Sequence, residues 1–159
     1  MRRVVALVFA FVLVGAVVQA HIMVSPPQSK SGAVQNYELR AHNEAKVAAT
    51  MLELDVPDGI TIQEVAKPTA GTVDTAKTGD RITKITWNVE VPAGKYLALK
   101  FTAKNPEGEK EVHWNVHEHM ADGSVVDWSD APGAKQKASV TKISGSAPST
   151  AEPQHKHKG

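Results

Sequence analysis

The chain has 159 residues with 18 basic and 17 acidic side chains, so its formal net charge is +1. It lacks the basic excess that a nucleic-acid surface requires, and no nucleic-acid partner is expected. It also has no cysteine, which excludes disulfides and thiolate metal sites and leaves nitrogen, oxygen and methionine sulfur as possible ligands.

The N-terminal residues predict an export signal. Two arginines precede an apolar and small run over residues 4–18, and residues 18–20 have small side chains where a signal peptidase requires them. The run is shorter than the roughly 20 residues that span a bilayer, which argues against a membrane anchor. Cleavage after Ala20 would leave 139 of the 159 residues, one domain in size, with His21 first. We therefore expect a periplasmic or secreted protein without a membrane span after processing.

Short strand-like runs follow the predicted signal peptide of residues 1–20. Apolar and polar residues alternate over residues 85–91 and 97–103, which is the period of a half-buried strand. Separated by turn residues, similar runs lie at 21–25, 34–41, 47–56 and 60–65. A short helical turn over residues 44–49 is an alternative that does not change the class. The spacing predicts one all-β domain over residues 21–143, an antiparallel β-sandwich.

The C-terminal segment differs in composition from the predicted domain. From residue 144 the chain is rich in Gly, Ser, Pro, Ala and Thr, and it ends in lysines and histidines. This composition predicts a disordered tail over residues 144–159. His155 and His157 offer imidazoles there without a folded frame.

Asp122-Gly123, between two strand-like runs, predicts a two-residue hairpin loop. In that register His117 faces Trp128, and facing residues share one side of the sheet. The face that we predict to be core comprises Val112, Trp114, Val116, Met120 and Val125. The opposite face comprises His113, Asn115, His117, His119, Val126 and Trp128. A slip of one residue would undo this assignment.

An N-terminal histidine can bind a metal by itself, because its α-amine and imidazole Nδ1 close a six-membered chelate ring. Reference pKa values of roughly 7.7–8.0 for the amine and about 6.5 for the imidazole allow a metal to displace protons near neutral pH. Among divalent first-row ions, nitrogen-rich sites bind copper most tightly, and tetragonal nitrogen and oxygen coordination suits Cu(II). His21 is therefore a candidate Cu(II) ligand, unless a histidine occupies this position by accident.

An ordered set of short motifs runs through the predicted domain. The set comprises His21-Ile22-Met23-Val24-Ser25-Pro26, Asn43-Glu44, Val56-Pro57-Asp58-Gly59-Ile60, Ile85-Thr86-Trp87, Asn105-Pro106 and Asp122-Gly123-Ser124-Val125-Val126-Asp127-Trp128. Together these motifs resemble the YcnI-like copper-binding domains over most of the chain. The resemblance implies an immunoglobulin-like or cupredoxin-like β-sandwich. It also implies one Cu(II) ion held by the N-terminal histidine and a carboxylate, with a tryptophan beside the metal.

The resemblance assigns roles to three residues. His21 supplies the amine and Nδ1, Glu44 is the best match for the carboxylate, and Trp128 is the neighbouring indole. Glu53 is a rival to Glu44, because a small shift in alignment would exchange them. Trp128 also has an ordinary alternative as a core residue, although the predicted hairpin register places it opposite the apolar face.

Several histidines depart from the family pattern. His42 stands where the family carries a proline, and His113, His117 and His119 lie in the hairpin. His117 is the open candidate, because it would add a second imidazole or bind a metal ion on its own. For His113 and His119 we favour the ordinary interpretation, solvated side chains on a strand.

Two functional classes compete. The first is a non-catalytic copper carrier, a metallochaperone or buffer of copper homeostasis that passes Cu(II) to a membrane transporter or to a copper enzyme under assembly. The second is a histidine-brace copper oxidase or polysaccharide monooxygenase, which needs a second imidazole fixed beside the first. We favour the carrier, because the sequence offers His42 or His117 for that imidazole without showing either in place. An adhesion sandwich without metal is a third reading that leaves His21 without a role.

Overall fold

The computed structural model describes residues 21–146, which form eleven β-strands. In chain order these are β1 His21–Ser25, β2 Gln28–Ser31, β3 Val34–His42, β4 Ala49–Asp55, β5 Thr61–Val65, β6 Thr72–Thr78, β7 Arg81–Asn88, β8 Tyr96–Lys104, β9 Lys110–Met120, β10 Val125–Trp128 and β11 Ser139–Ser146. Within this range there is no helix with the length and apolar character of a membrane span. The predicted signal peptide, His155 and His157 lie outside the described residues.

The strands form two sheets. The first has the order β1-β3-β8-β5, and the second has the order β2-β11-β9-β4-β7-β6 with β10 paired to β9. Neighbouring strands are antiparallel except β2 and β11, which are parallel. The chain passes from the first sheet to the second between β1 and β2 and so ties the two layers together. This architecture confirms the predicted all-β sandwich.

The core between the sheets is built around aromatic side chains. Tyr37 and Phe101 pair across β3 and β8 with ring centroids 5.5 Å apart, and Trp114 of β9 lies 5.0 Å from Tyr37 and 5.6 Å from Phe101. The Tyr37 hydroxyl donates to Asn105 Oδ1 at 2.6 Å. Burial raises the pKa of Tyr37 to about 12. The strand alternation read from the sequence thus places large rings from both sheets in one cluster.

The predicted runs become strands β1, β3, β4, β5, β7 and β8, and the predicted hairpin becomes β9 and β10. Strands β2, β6 and β11 were not predicted. Strand β6 is exposed along nearly its whole length, so its sequence has no apolar alternation to read. Residues 43–48 connect β3 to β4 with bends at 45–47 and no helical turn. Strand β11 continues to Ser146, past the predicted domain end at residue 143.

The β9–β10 hairpin is paired one residue away from the predicted register. Val125 pairs with His119, and the loop contains three residues instead of two. Gly123 N donates to Met120 O at 3.0 Å, and Met120 N donates to Ser124 O at 2.9 Å. Gly123 has a φ of 85°, in the left-handed region that such three-residue loops require at this position.

This shift exchanges the faces of β10. Trp128 pairs with Val116 and is buried in the core, so its predicted position on the outer face is wrong. Val125, predicted to be core, is 48% exposed, and Val126 packs against the core. His117 pairs with Asp127 instead of Trp128. One extra loop residue reverses every β10 side chain because side chains alternate along a strand.

Candidate metal centre

Three strands of the first sheet bring His21, His42 and Tyr96 into one row. His21 of β1 pairs with His42 of β3, and His42 pairs with Tyr96 of β8. Their chain neighbours Ile22 and Ala41 are buried, so alternation places the row on the outer face of the sheet. Directly opposite residues of such a pair have Cβ atoms about 4.5–5.5 Å apart. Two imidazoles therefore lie side by side at the start of β1.

Glu44 joins this row through His42. It lies two residues beyond the end of β3, and its Oε1 is 3.2 Å from His42 Nδ1. Its Oε2 is buried and has no hydrogen-bond partner. Leaving a buried polar atom unpaired costs about 1–3 kcal/mol. A cation at this oxygen would remove that cost, so the carboxylate is suited to a metal ion.

Asn43 fixes the backbone on which Glu44 is carried. Its side chain is almost completely buried and makes three hydrogen bonds, and its backbone makes two. Asn43 Nδ2 donates to Val47 O at 2.9 Å and to Val91 O at 2.8 Å, and Oδ1 accepts from Ala45 N at 2.9 Å. The backbone N of Asn43 donates to Lys95 O at 2.9 Å, and its backbone O accepts from Gly94 N at 2.6 Å. The sequence motif includes Asn43 but does not reveal this role. An asparagine at the end of a strand, able to bond the backbone two residues on, was the available signal.

Glu53, the rival carboxylate, lies on the outer face of the second sheet. Its Oε2 is 2.9 Å from His119 Nε2, and its Oε1 is 3.6 Å from Lys84 Nζ. The hydrogen bond from His119 and the charge of Lys84 lower the pKa of Glu53. Glu44, and not Glu53, is therefore the carboxylate that the structure brings to the row of His21.

His117 lies on the same outer face as Glu53, across the core from His21. Its Nδ1 is 2.5 Å from Asp127 Oδ1, and its Nε2 is 3.0 Å from Asp55 Oδ2. Burial lowers the pKa of His117, but the hydrogen bonds and charges of the two carboxylates outweigh it and raise the pKa. Both ring nitrogens are thus engaged, and the structure does not bring His117 together with His21.

Trp128 lies in the core beside a buried carboxyl group. Its Nε1 donates to Glu118 Oε2 at 3.4 Å, and Glu118 Oε1 is buried without a partner. Burial raises the pKa of Glu118, against a smaller lowering by the indole hydrogen bond. The alternation of β9 places position 118 on the core face, where an apolar residue is usual. The sequence pattern alone therefore did not indicate that a carboxyl group is buried there.

Trp128 and strand β1 both contact the chain near the start of β11. Val24 N donates to Ser139 Oγ at 2.9 Å, and Thr141 Oγ1 donates to Pro26 O at 3.0 Å, each with an offset of 115 residues. Trp128 forms a parallel bridge with Gln136, three residues before β11 begins. The indole is buried in the core and does not lie on the outer face that carries His21.

The donors near His21 are mixed in type. Within residues 21–146, no group of three or more His, Cys, Asp or Glu side chains is arranged to hold a metal ion. A centre at His21 would instead combine its imidazole, and the α-amine that the predicted cleavage would expose, with the Glu44 carboxylate. Nitrogen and oxygen donors of this kind suit Cu(II).

Comparisons with known proteins agree with the motif resemblance. A family model described as "Domain of unknown function (DUF1775)" matches residues 21–150. The copper-binding protein CutI of Bacillus subtilis (strain 168) is 27% identical over 141 residues, which cover 87% of this chain and 69% of that protein. These matches confirm the resemblance to the YcnI-like copper-binding domains.

Solved structures support the fold. An uncharacterized protein from Nocardia farcinica with an immunoglobulin-like fold superposes with a TM-score of 0.68 at 18% identity, covering 79% of this chain and 99% of that one. A non-cellulosomal cohesin from Archaeoglobus fulgidus gives a TM-score of 0.52 at 13% identity, covering 80% and 92%. At these identities the likeness establishes the immunoglobulin-like sandwich and nothing about ligands.

Proposed function

The chain belongs to the DUF1775 family, and from that premise we propose that it is an exported, non-catalytic protein that binds copper outside the cytoplasm. In this proposal the α-amine and Nδ1 of His21 and one oxygen of Glu44 hold a single Cu(II) ion. The protein then buffers the ion or delivers it to a membrane transporter or to a copper enzyme under assembly. Its relative CutI is named as a copper-binding protein, which supports copper as the ligand.

The observation that carries the proposal is the buried, unpartnered Oε2 of Glu44. It belongs to a carboxylate whose other oxygen contacts His42, the cross-strand partner of His21. Buried charged groups are normally paired or coordinate metals. A cation bound by His21 would pair this carboxylate and complete a nitrogen and oxygen donor set.

Export and metal binding are linked in this proposal. While residues 1–20 are attached, the nitrogen of His21 is an amide and has no free lone pair for a metal. Signal-peptide removal converts it to an amine, and only then does the chelate ring close. The copper site is therefore completed outside the cytoplasm, where the carrier acts.

The test compares two forms of the domain, one beginning at His21 and one with a single additional residue before it. We expect the extended form to bind Cu(II) at least about 100-fold more weakly, because the amine is lost as a ligand. The affinity is measured by competition with a chelator of known strength. The urea unfolding midpoints of the metal-free forms serve as the control and should agree. Equal affinity of the two forms would refute the site.

One observation keeps a catalytic alternative in view. His21 and His42 are cross-strand partners, and two imidazoles in one row are the minimum for a histidine brace. A copper oxidase or polysaccharide monooxygenase would release peroxide or oxidised sugars when the reduced, copper-loaded protein meets oxygen and polysaccharide. We expect no more of either product than free copper gives. The His42 ring contacts the Glu44 carboxylate, with Nδ1 3.2 Å from Oε1, and in our proposal it is not the second imidazole of a brace.

A further inference from the structure

His42 lies between the two residues proposed to bind copper. It pairs with His21 across β1 and β3, and its Nδ1 is 3.2 Å from Glu44 Oε1. Its side chain is 43% exposed, so it contributes little to the core. His42 therefore needs an explanation other than packing.

We propose that His42 is a positioning residue for Glu44 and not a copper ligand. Its imidazole holds Oε1 and thereby leaves Oε2 as the oxygen that meets the metal. This inference rests on the proposed function, because it assumes that copper is bound at His21 and Glu44. Ligating carboxylates are commonly oriented by a second contact of this kind.

The geometry of the imidazole ring favours positioning over ligation. Nδ1 faces Glu44, so only Nε2 would remain for a metal ion. An ion held by Nε2 alone would leave Glu44 Oε2 without a partner.

Hydrogen bonds also hold the backbone around Glu44 in place. Asn43 fixes the segment through bonds to Val47 and Val91, and His42 then restricts the carboxylate itself. A free glutamate loses side-chain entropy when it binds an ion. A carboxylate that is already restricted avoids part of this loss and binds more tightly.

The experiment uses the domain with its authentic N-terminus and the variant His42→Ala. We expect Cu(II) affinity to fall about 10–100-fold, while the number of coordinated nitrogens in the electron paramagnetic resonance spectrum stays the same. His42→Asn keeps an N–H close to the position of Nδ1 and should restore part of the affinity. The matched control is His119→Ala, which removes a histidine from its contact with Glu53 on the other face and should leave copper binding unchanged.

A second arm tests whether His42 acts through Glu44. In a Glu44→Gln background, His42→Ala should cause little further loss, because the carboxylate that it positions is gone. Losses that multiply independently would overturn the inference, as would unchanged affinity or a missing imidazole nitrogen in the His42→Ala spectrum. Failure of the proposed function can be told apart from failure of this inference. It would show in the unsubstituted protein, as equal Cu(II) binding by the form that begins at His21 and the form with one additional residue before it.

Discussion

The two outer faces of the sandwich both carry imidazoles next to carboxylates, but they differ in what those contacts leave free. On the second sheet, His113, His117 and His119 contact acidic side chains directly, and Lys84 lies 3.6 Å from Glu53 and 3.7 Å from Asp55. On the first sheet, Glu44 contacts His42 with one oxygen, and its other oxygen is buried without a partner.

This difference separates a structural surface from a candidate site. The second face has more histidines, and for that reason it attracts attention in the sequence. Its ion pairs are mutually satisfied, however, and partly exposed pairs of this kind contribute modestly to stability. The first face has fewer potential ligands, but one of them, Glu44 Oε2, is a buried carboxylate oxygen without a partner, which is the better indication of a bound cation.

The largest effect is expected from the residue that frames the first face. Asn43→Ala should lower the free energy of unfolding by about 3 kcal/mol, because it removes three hydrogen bonds of a buried side chain and leaves Val47 O and Ala45 N without their partner. Urea unfolding measures this change. The matched control is Asn36→Ala on β3, the strand that precedes Asn43; the Asn36 side chain is exposed, and its loss should cost less than about 0.5 kcal/mol. Similar losses in both variants would show that the Asn43 side chain does not hold the backbone segment that carries Glu44.

The next effect concerns the carboxylates themselves. Glu44→Gln should weaken Cu(II) binding about 10–100-fold and change its electron paramagnetic resonance spectrum, because an anionic oxygen ligand is replaced by an amide. Glu53→Gln is the matched control, since Glu53 also contacts a histidine but lies on the other face. A copper defect that appears with Glu53→Gln and not with Glu44→Gln would reverse the assignment of the two faces.

The smallest effect probes the satisfied ion pairs. His117 has a raised pKa in the folded protein, so its stabilising contribution is complete below the unfolded value of about 6.5 and is lost as the pH rises through the folded value. His117→Gln should therefore cost about 1 kcal/mol at pH 5.5 and much less at pH 9. Urea unfolding at both pH values measures the difference. A cost that grows with pH would show that the neutral imidazole is the form bound by Asp55 and Asp127.

Much of the fold could be predicted because apolar alternation is a local signal. It identified strands such as β7 and β8, in which one face is buried and the other is not. It failed for β6, where neither face is buried. In the β9–β10 hairpin, the Asp-Gly pair indicated a turn but not its length, because two- and three-residue loops both use glycine. One residue of loop length was enough to exchange Trp128 and Val125.

The candidate site was predictable only in part. His21 followed from the cleavage pattern and Glu44 from the motif resemblance, and the structure brings both to one end of the first sheet. The contact of His42 with Glu44 and the bonds of Asn43 depend on how residues 43–48 pack against residues 91–95. Such contacts between distant segments leave no periodic trace in the sequence.

The parallel pairing of β2 with β11 has a consequence for the order in which the molecule assembles. It joins the segment just after β1 to the last described strand, and Val24 and Pro26 bond the same strand across 115 residues. Contacts so distant in sequence form late, because the entropy of closing a long loop has to be overcome first. The support behind His21 is therefore finished only when β11 is in place. Under the proposed function, copper meets a completed domain and not a growing chain.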